Sequence, residues 1–190
     1  MTEPLNDRSS AMALLLSRRS AKARDLVAPG PDGDQLDRIL TAAARVPDHG
    51  KLAPWRFVVV ENRDRFGDLL VDLLRAERPD LGTREEHLIR GLAHEAPLLI
   101  VLLHCPVPGK IPDWEQQLST GAAGQNLLLA AHALGFAANW LTPAPAYAAG
   151  LPAALGHPQG RVAGFIFIGT ASAPAEERPR PALSDVVQRF

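Results

Sequence analysis

The chain has 190 residues, 46% apolar and 22% charged, with a formal net charge of −1. This is the composition of one soluble globular domain, residues 1–190, able to bury its own core; near-neutral charge excludes nucleic acid or an anionic membrane as the main partner. The single Cys105 excludes an internal disulfide and a cysteine metal cluster, and with no leader or membrane-length apolar run in view the expected compartment is the cytoplasm.

Residues 1–8 are expected to be loose. A first helix is predicted over Ser9–Ser17, with Met12, Leu15 and Leu16 on one face. It ends in Arg18-Arg19-Ser20-Ala21-Lys22-Ala23-Arg24, four cations in seven residues. Two readings are open there: a solvated basic helix end, or a phosphate clamp of guanidinium forks and a hydroxyl. A proline-glycine turn over Val27–Gly33 leads to a second helix capped by Asp32 or Asp34, with Leu36, Ile39, Leu40 and Ala43 at helical spacing.

Pro47 stops that helix. Arg45 to Glu61, R-V-P-D-H-G-K-L-A-P-W-R-F-V-V-V-E, then packs charges, a histidine and a tryptophan into a loop that runs into a strand over Phe57–Glu61. Loops of this kind carry sites. Trp55 reads either as core or as a site wall. A helix from Asn62 or Asp64 to Leu74 and another over Arg84–His94 follow; residues 75–95 read either as a lid or as surface packing.

Pro97 to His104 is a buried strand. Trp114–Leu134 is a long helix that Asp113 opens and Gly135 closes; it is apolar all round toward its end, which predicts deep burial. Its small residues Gly121, Ala122, Ala123 and Gly124 leave room for a backbone or a flat ligand. A strand over 136–141, a short helix over Tyr147–Leu155, a strand over 162–168 and a charged, proline-rich tail complete the chain. Strands and helices alternate as in an α/β or α+β domain with a central sheet.

The motifs of dinucleotide folds, P-loops, zincins and nucleophile elbows are absent, and six scattered histidines do not form a metal set. No catalytic side chain is therefore assigned.

Five segments together resemble a known family: L-L-x-S-R-R-S at 14–20, A-A-x-R-x-P-D-H-x-K-x-x-P-W-R-F at 42–57, W-E-Q-x-x-S-T-G-A-A-x-Q-N-L-L-L-A-A at 114–131, L-G-F-x-A-N-W at 134–140 and F-I-x-I-G-T at 165–170. In this order they are similar to the FMN-dependent nitroreductases, in particular the small NAD(P)H nitroreductases that carry P-D-H. The resemblance implies an α+β nitroreductase-like fold, with a central mixed sheet, flanking helices and a long buried helix. It also implies a homodimer with FMN at the interface, NAD(P)H as co-substrate and a nitroaromatic, quinone or similar small-molecule acceptor. Arg18, Arg19 and Ser20 match the phosphate-contacting positions, and Lys22 or Arg24 the flavin N1–O2 edge. Arg45 and His49 match positions that reach the other subunit's cofactor, and Asn139, Trp140 and Leu141 the segment beside the ring. Leu141 stands where the family carries Arg, so a tail cation, Arg178 or Arg180, is expected to replace it. Two other readings keep the fold: a flavin-sequestering protein with little turnover, and an FMN-dependent oxidase or dehydrogenase of a small metabolite.

Overall fold

The protein is described by a computed structural model covering residues 4–190. Its sheet is built on one long strand, β5 (Arg161–Ala171), which pairs with β3 (Leu98–His104), with β4 (Ala137–Leu141) and, at its C-terminal end, with the two-residue β1 (Leu26–Val27). The fifth strand, β2 (Trp55–Val59), pairs with β3. All of these pairings are antiparallel, which corrects the mixed sheet expected from the sequence. The α+β class stands. Strand β2 begins two residues before the predicted position, so Trp55 lies in the sheet, buried at 8% exposure, and its open reading resolves to core.

Every residue of β3 is buried. The reason is alternation between two apolar layers. Leu99, Val101 and Leu103 join Phe165 and Phe167 under α3 (Arg63–Glu77) and α4 (Thr83–Leu92). Leu98, Ile100 and Leu102 join Ile166 and Ile168 under α2 (Gly33–Ala43) and α5 (Asp113–Ala133). A strand covered on both faces needs no polar side, so it reads as one unbroken apolar run. Each such aliphatic side chain contributes about 1.5–3 kcal/mol of transfer free energy.

Helices α2 and α3 start where the sequence carries caps. Asp32 and Gln35 form a reciprocal capping box on α2, and Asn62 accepts the Arg65 N–H on α3 at 2.9 Å. Of residues 75–95, the stretch from Glu86 on packs against α3, whereas 75–80 and 82–85 are exposed. Glu86 is buried against Arg75 and Arg90, and Ile89 enters the core beside Leu70 and Leu74. Arg63 donates to the carbonyls of Ala93, Ala96 and Pro97, closing the end of α4 onto the start of β3. The predicted helix over Tyr147–Leu155 is instead a 3-10 turn, Ala144–Tyr147, and a short α6 (Leu151–Ala154).

Helix α1 (Ala11–Ser17) turns Leu14 and Ser17 inward and leaves Met12, Leu15 and Leu16 exposed, the reverse of the predicted face. Residues 1–3 lie outside the described residues. Asn6 and Asp7, expected to be loose, are tied to the end of α1: the Asn6 N–H donates to the Ser17 carbonyl at 3.0 Å and the Asp7 N–H to Ser17 Oγ at 2.9 Å.

Helix α5 is capped as predicted by Gly135, at φ +95°. Its N-terminus is pinned by a buried contact: His104 Nε2 lies 2.7 Å from Asp113, and His104 Nδ1 lies 3.1 Å from Thr120 Oγ1. Hydrogen bonds from His104 and Gln117 hold the Asp113 carboxyl below its ordinary range. Toward its end the helix is buried or half-buried at Leu127, Leu128, Leu129, Ala130, Ala131 and Leu134, as expected. In its first turns Gln116 and Thr120 are buried, whereas Trp114 and Leu118 on the opposite face are 66% and 54% exposed.

Among the small residues of α5, Gly124 makes room for Trp140. A Cβ there would lie 2.4 Å from the indole. On the ring's other side Gly164 is closer still, with a built Cβ 1.9 Å from Nε1. Gly164 sits at a register shift between Leu102 and Leu103, and the adjoining Ala163 carbonyl accepts the indole N–H at 3.0 Å. The irregularity and the ring are therefore one device. Gly164→Ala is expected to lower the urea-unfolding free energy by about 1–3 kcal/mol, because backbone of the central strand must shift to admit the methyl.

Candidate functional site

The turn that leaves α1 gathers the first set of candidate residues. Ser20 Oγ accepts an Arg18 Nη1 hydrogen bond at 3.1 Å, and the Arg19 N–H donates to Asn6 Oδ1 at 2.7 Å. The C-terminal tail folds back onto this turn. Burial, and then the positive charges of Arg180, Arg19 and Arg178, hold the half-buried Arg18 guanidinium below its usual pKa. It stays charged at any accessible pH. Arg19 and Arg180 meet at the Glu177 carboxylate, at 3.7 and 3.2 Å, so cations from two segments about 160 residues apart in sequence share one anion.

A cavity of about 230 Å³ opens beside the turn, lined by Arg19, Ser20, Lys22, Asp25 and Asn139 with Ala173, Pro174, Ala175 and Glu176 of the tail. Lys22 lines it and Arg24 does not. Asn139 donates through Nδ2 to the Ala21 carbonyl, and its buried Oδ1 has no partner. Arg19 Nε is likewise buried without a hydrogen-bond partner. A buried donor and a buried acceptor without partners, on two residues that border one cavity, are costly for the free chain. The volume falls short of the roughly 300–1,000 Å³ of a small-molecule site. Trp140 is a wall of the core more than of this cavity, and Leu141 ends β4 at 38% exposure.

The second set lies apart from the first. Arg45 borders a groove of about 490 Å³ between α2 and the end of α5, with Asp37, Arg38, Thr41 and Leu134. His49 borders another of about 370 Å³ with Pro47, Glu115, Leu118 and Ser119. The P-D-H loop that carries both residues is held against α5 by polar groups. Asn126 Nδ2 donates to the Arg45 carbonyl at 2.9 Å, Ser119 Oγ to the Pro47 carbonyl at 2.8 Å, and His49 Nδ1 lies 2.7 Å from Glu115. The last pair is exposed and contributes less than about 1 kcal/mol; its effect is orientation.

Asp48 organises the rest of this loop, a role that residue types alone did not reveal. Its Oδ2 accepts the Ala53 N–H at 2.8 Å and its carbonyl accepts the Lys51 N–H at 3.2 Å. The bends require positive φ at Gly50 (77°), Lys51 (58°) and Ala53 (46°). Two side-chain-bearing residues in left-handed backbone within three positions are a strain of the kind that surrounding structure must hold in place. Glu115, Ser119 and Asn126 were also missed as loop anchors. Their signal was present: polar groups at i, i+4 and i+11 share one helix face.

Beneath the Arg18–Ser20 turn lies His132, buried at 1% exposure. Its Nδ1 lies 2.8 Å from the Leu128 carbonyl and its Nε2 3.2 Å from the Arg19 carbonyl. Burial lowers its pKa against the effect of both carbonyls.

Fold and site together define an α+β protein with a polar cavity between the α1 turn and the tail, bordered by Arg19, Lys22, Asp25 and Glu176. The model of the family described as "Nitroreductase family" matches residues 15–170. The chain belongs to the nitroreductase family. It is 41% identical over 175 residues to the "Putative NAD(P)H nitroreductase" of Haemophilus influenzae, covering 90% of this chain and 93% of that one. It is 37% identical over 164 residues to the "Putative NAD(P)H nitroreductase YdjA" of Escherichia coli K12, covering 84% and 87%. Among solved structures, a "putative nitroreductase in complex with fmn" from Desulfovibrio desulfuricans superposes with a TM-score of 0.69 at 26% identity, over 93% of this chain and 94% of that one.

Two outcomes test this geometry. His132 titrates below the ordinary histidine value of 6.5 in the folded chain, so protons bind the unfolded chain more readily. Stability is therefore level above pH 6.5 and falls as the pH drops through the folded value; in His132→Gln that part of the slope disappears from urea midpoints measured against pH. Ala53→Gly, which relieves a positive φ, is expected to raise stability by up to about 1 kcal/mol, where glycine elsewhere in ordered backbone lowers it.

Proposed function

We propose that the protein is a flavin oxidoreductase that binds FMN and uses NAD(P)H to reduce a small electron-poor acceptor, such as a nitroaromatic or a quinone. The observation that carries this reading is a cavity lined by Arg19, Ser20, Lys22 and Asn139, with Arg18 hydrogen-bonded to Ser20 and Arg180 meeting Arg19 at the Glu177 carboxylate. The donor set fits a flavin mononucleotide. Guanidinium forks and the Ser20 hydroxyl suit the phosphate, Lys22 suits the electron-rich N1–O2 edge, and Asn139 Oδ1 suits a ribityl hydroxyl or ring N–H. When bound, FMN supplies the two-electron chemistry; the chain's own work is to bind, orient and shield it. No side chain is required as a nucleophile, which accords with the lack of a triad or carboxylate dyad in the sequence.

The remaining walls come, on this reading, from a second copy of the chain. The exposed apolar face of α5 and the outward Met12, Leu15 and Leu16 of α1 would be covered in a homodimer. Arg45 and His49, which border other cavities in their own protomer, would then face the partner's cofactor. Among the described residues no helix is long and apolar enough to cross a membrane; free Cys105 accords with a reducing cytoplasm.

The decisive measurement is the visible spectrum of the purified protein with its elution volume. A bound flavin spectrum at dimer size is expected, and Arg18→Ala with Ser20→Ala should weaken FMN retention at least about tenfold, as loss of charge-assisted phosphate contacts implies. A colourless protein with no saturable FMN uptake would sink the proposal. Flavin uptake without NAD(P)H oxidation in the presence of a nitroaromatic would instead favour sequestration.

A further inference from the structure

The guanidinium cluster already holds an anion from its own chain. Glu177, in the tail between the converging arginines, accepts the Arg178 N–H at 2.8 Å and an Arg180 Nη2 hydrogen bond at 3.2 Å. Its carboxylate lies 3.7 Å from Arg19 Nε. That distance is too long for a hydrogen bond, and Arg19 Nε stays unpartnered although buried. The carboxylate therefore occupies the cluster without satisfying it. It offers one charge and two oxygens, where a phosphomonoester brings a charge of about −1.5 to −2 and three terminal oxygens.

We propose that Glu177 is an internal placeholder for the anion site: it screens the arginines in the free protein, keeps the tail docked, and is displaced when a phosphomonoester enters. The inference rests on reading the cluster as a phosphate site. Three features make displacement easy. Glu177 is half exposed, so its carboxylate returns to water at little cost. It sits on a tail outside both core layers. Its firmest contact is to the next residue's backbone, which moves with it. The charges that hold it, Arg19 and Arg180, are those available to an incoming phosphate, so the two anions compete for the same donors. A ligand without a phosphate, such as riboflavin, has no means of evicting it. The placeholder thereby favours phosphorylated ligands beyond the attraction of the arginines alone.

The test uses the full-length chain and inorganic phosphate, with thermal stabilisation as the readout. Removing the competing carboxylate in Glu177→Gln should lower the half-saturating phosphate concentration by about fivefold, the equilibrium effect of one exposed ion pair. Glu61→Gln makes the same charge change beyond β2, on the far side of the sheet from β4, and should match the wild type. A Glu177→Gln response equal to or weaker than wild type overturns the placeholder, and so does an equal gain in Glu61→Gln, which would reduce the effect to net charge. FMN uptake followed by flavin fluorescence on the same proteins tests the functional reading separately. If no form takes up FMN, that reading fails while the phosphate titration still decides the placeholder. If wild type takes up FMN and the phosphate response does not change in Glu177→Gln, the placeholder alone falls.

Discussion

Strand β3 has no side that faces water, and most of the architecture follows from that constraint. A strand with seven buried residues must be paired along both edges and covered on both faces, or its backbone groups and side chains would be left exposed to water. Strands β2 and β5 pair its edges; α3 and α4 cover one face, α2 and α5 the other. The two ends of the site hang on these covers. Helix α5 carries the residues that anchor the P-D-H loop, and His132 near its end supports the turn that bears Arg18 and Arg19.

The same constraint explains what could be read from the sequence. The run P-L-L-I-V-L-L-H announces a buried strand, and V-A-G-F-I-F-I-G a second, because burial on two faces leaves a plain mark. Their direction leaves none. Antiparallel pairing depends on where intervening segments cross, and an unbroken apolar run also fails to fix register, since a slip by one residue exchanges one apolar face for another. Register here needs a physical key, and the irregularity at Ala163–Gly164, filled by the Trp140 indole, fits that part. From sequence, Trp140 belonged only to a motif beside a cofactor.

Helix faces were legible only where they meet the protomer's own core. In α2 the spacing of Ile39 and Ala43 led inward as predicted. In α1 and α5 apolar residues also point outward, and periodicity cannot distinguish a face packed within one chain from a face awaiting another surface. The candidate site was legible as a set of motifs, less so as a geometry. Arg18, Arg19, Ser20, Lys22 and Asn139 do come together. Asp48 was not foreseen, because its contribution lies in hydrogen bonds to a backbone bend. Glu177 was not foreseen either, since nothing local indicates that a charged tail returns to the first helix.

That tail has a bearing on how the protein can change over generations. Residues 173–190 contribute nothing to either core layer, and their chain length and charge are free of the packing rules that fix β3 and β5. Yet Arg180, and the Glu177 carboxylate at which it meets Arg19, come from this stretch. On the proposed reading, selection can retune ligand retention there one residue at a time, outside both core layers. Leu141 illustrates the converse. It ends a strand paired to Phe165, and a charge at that position would have to be reconciled with the sheet.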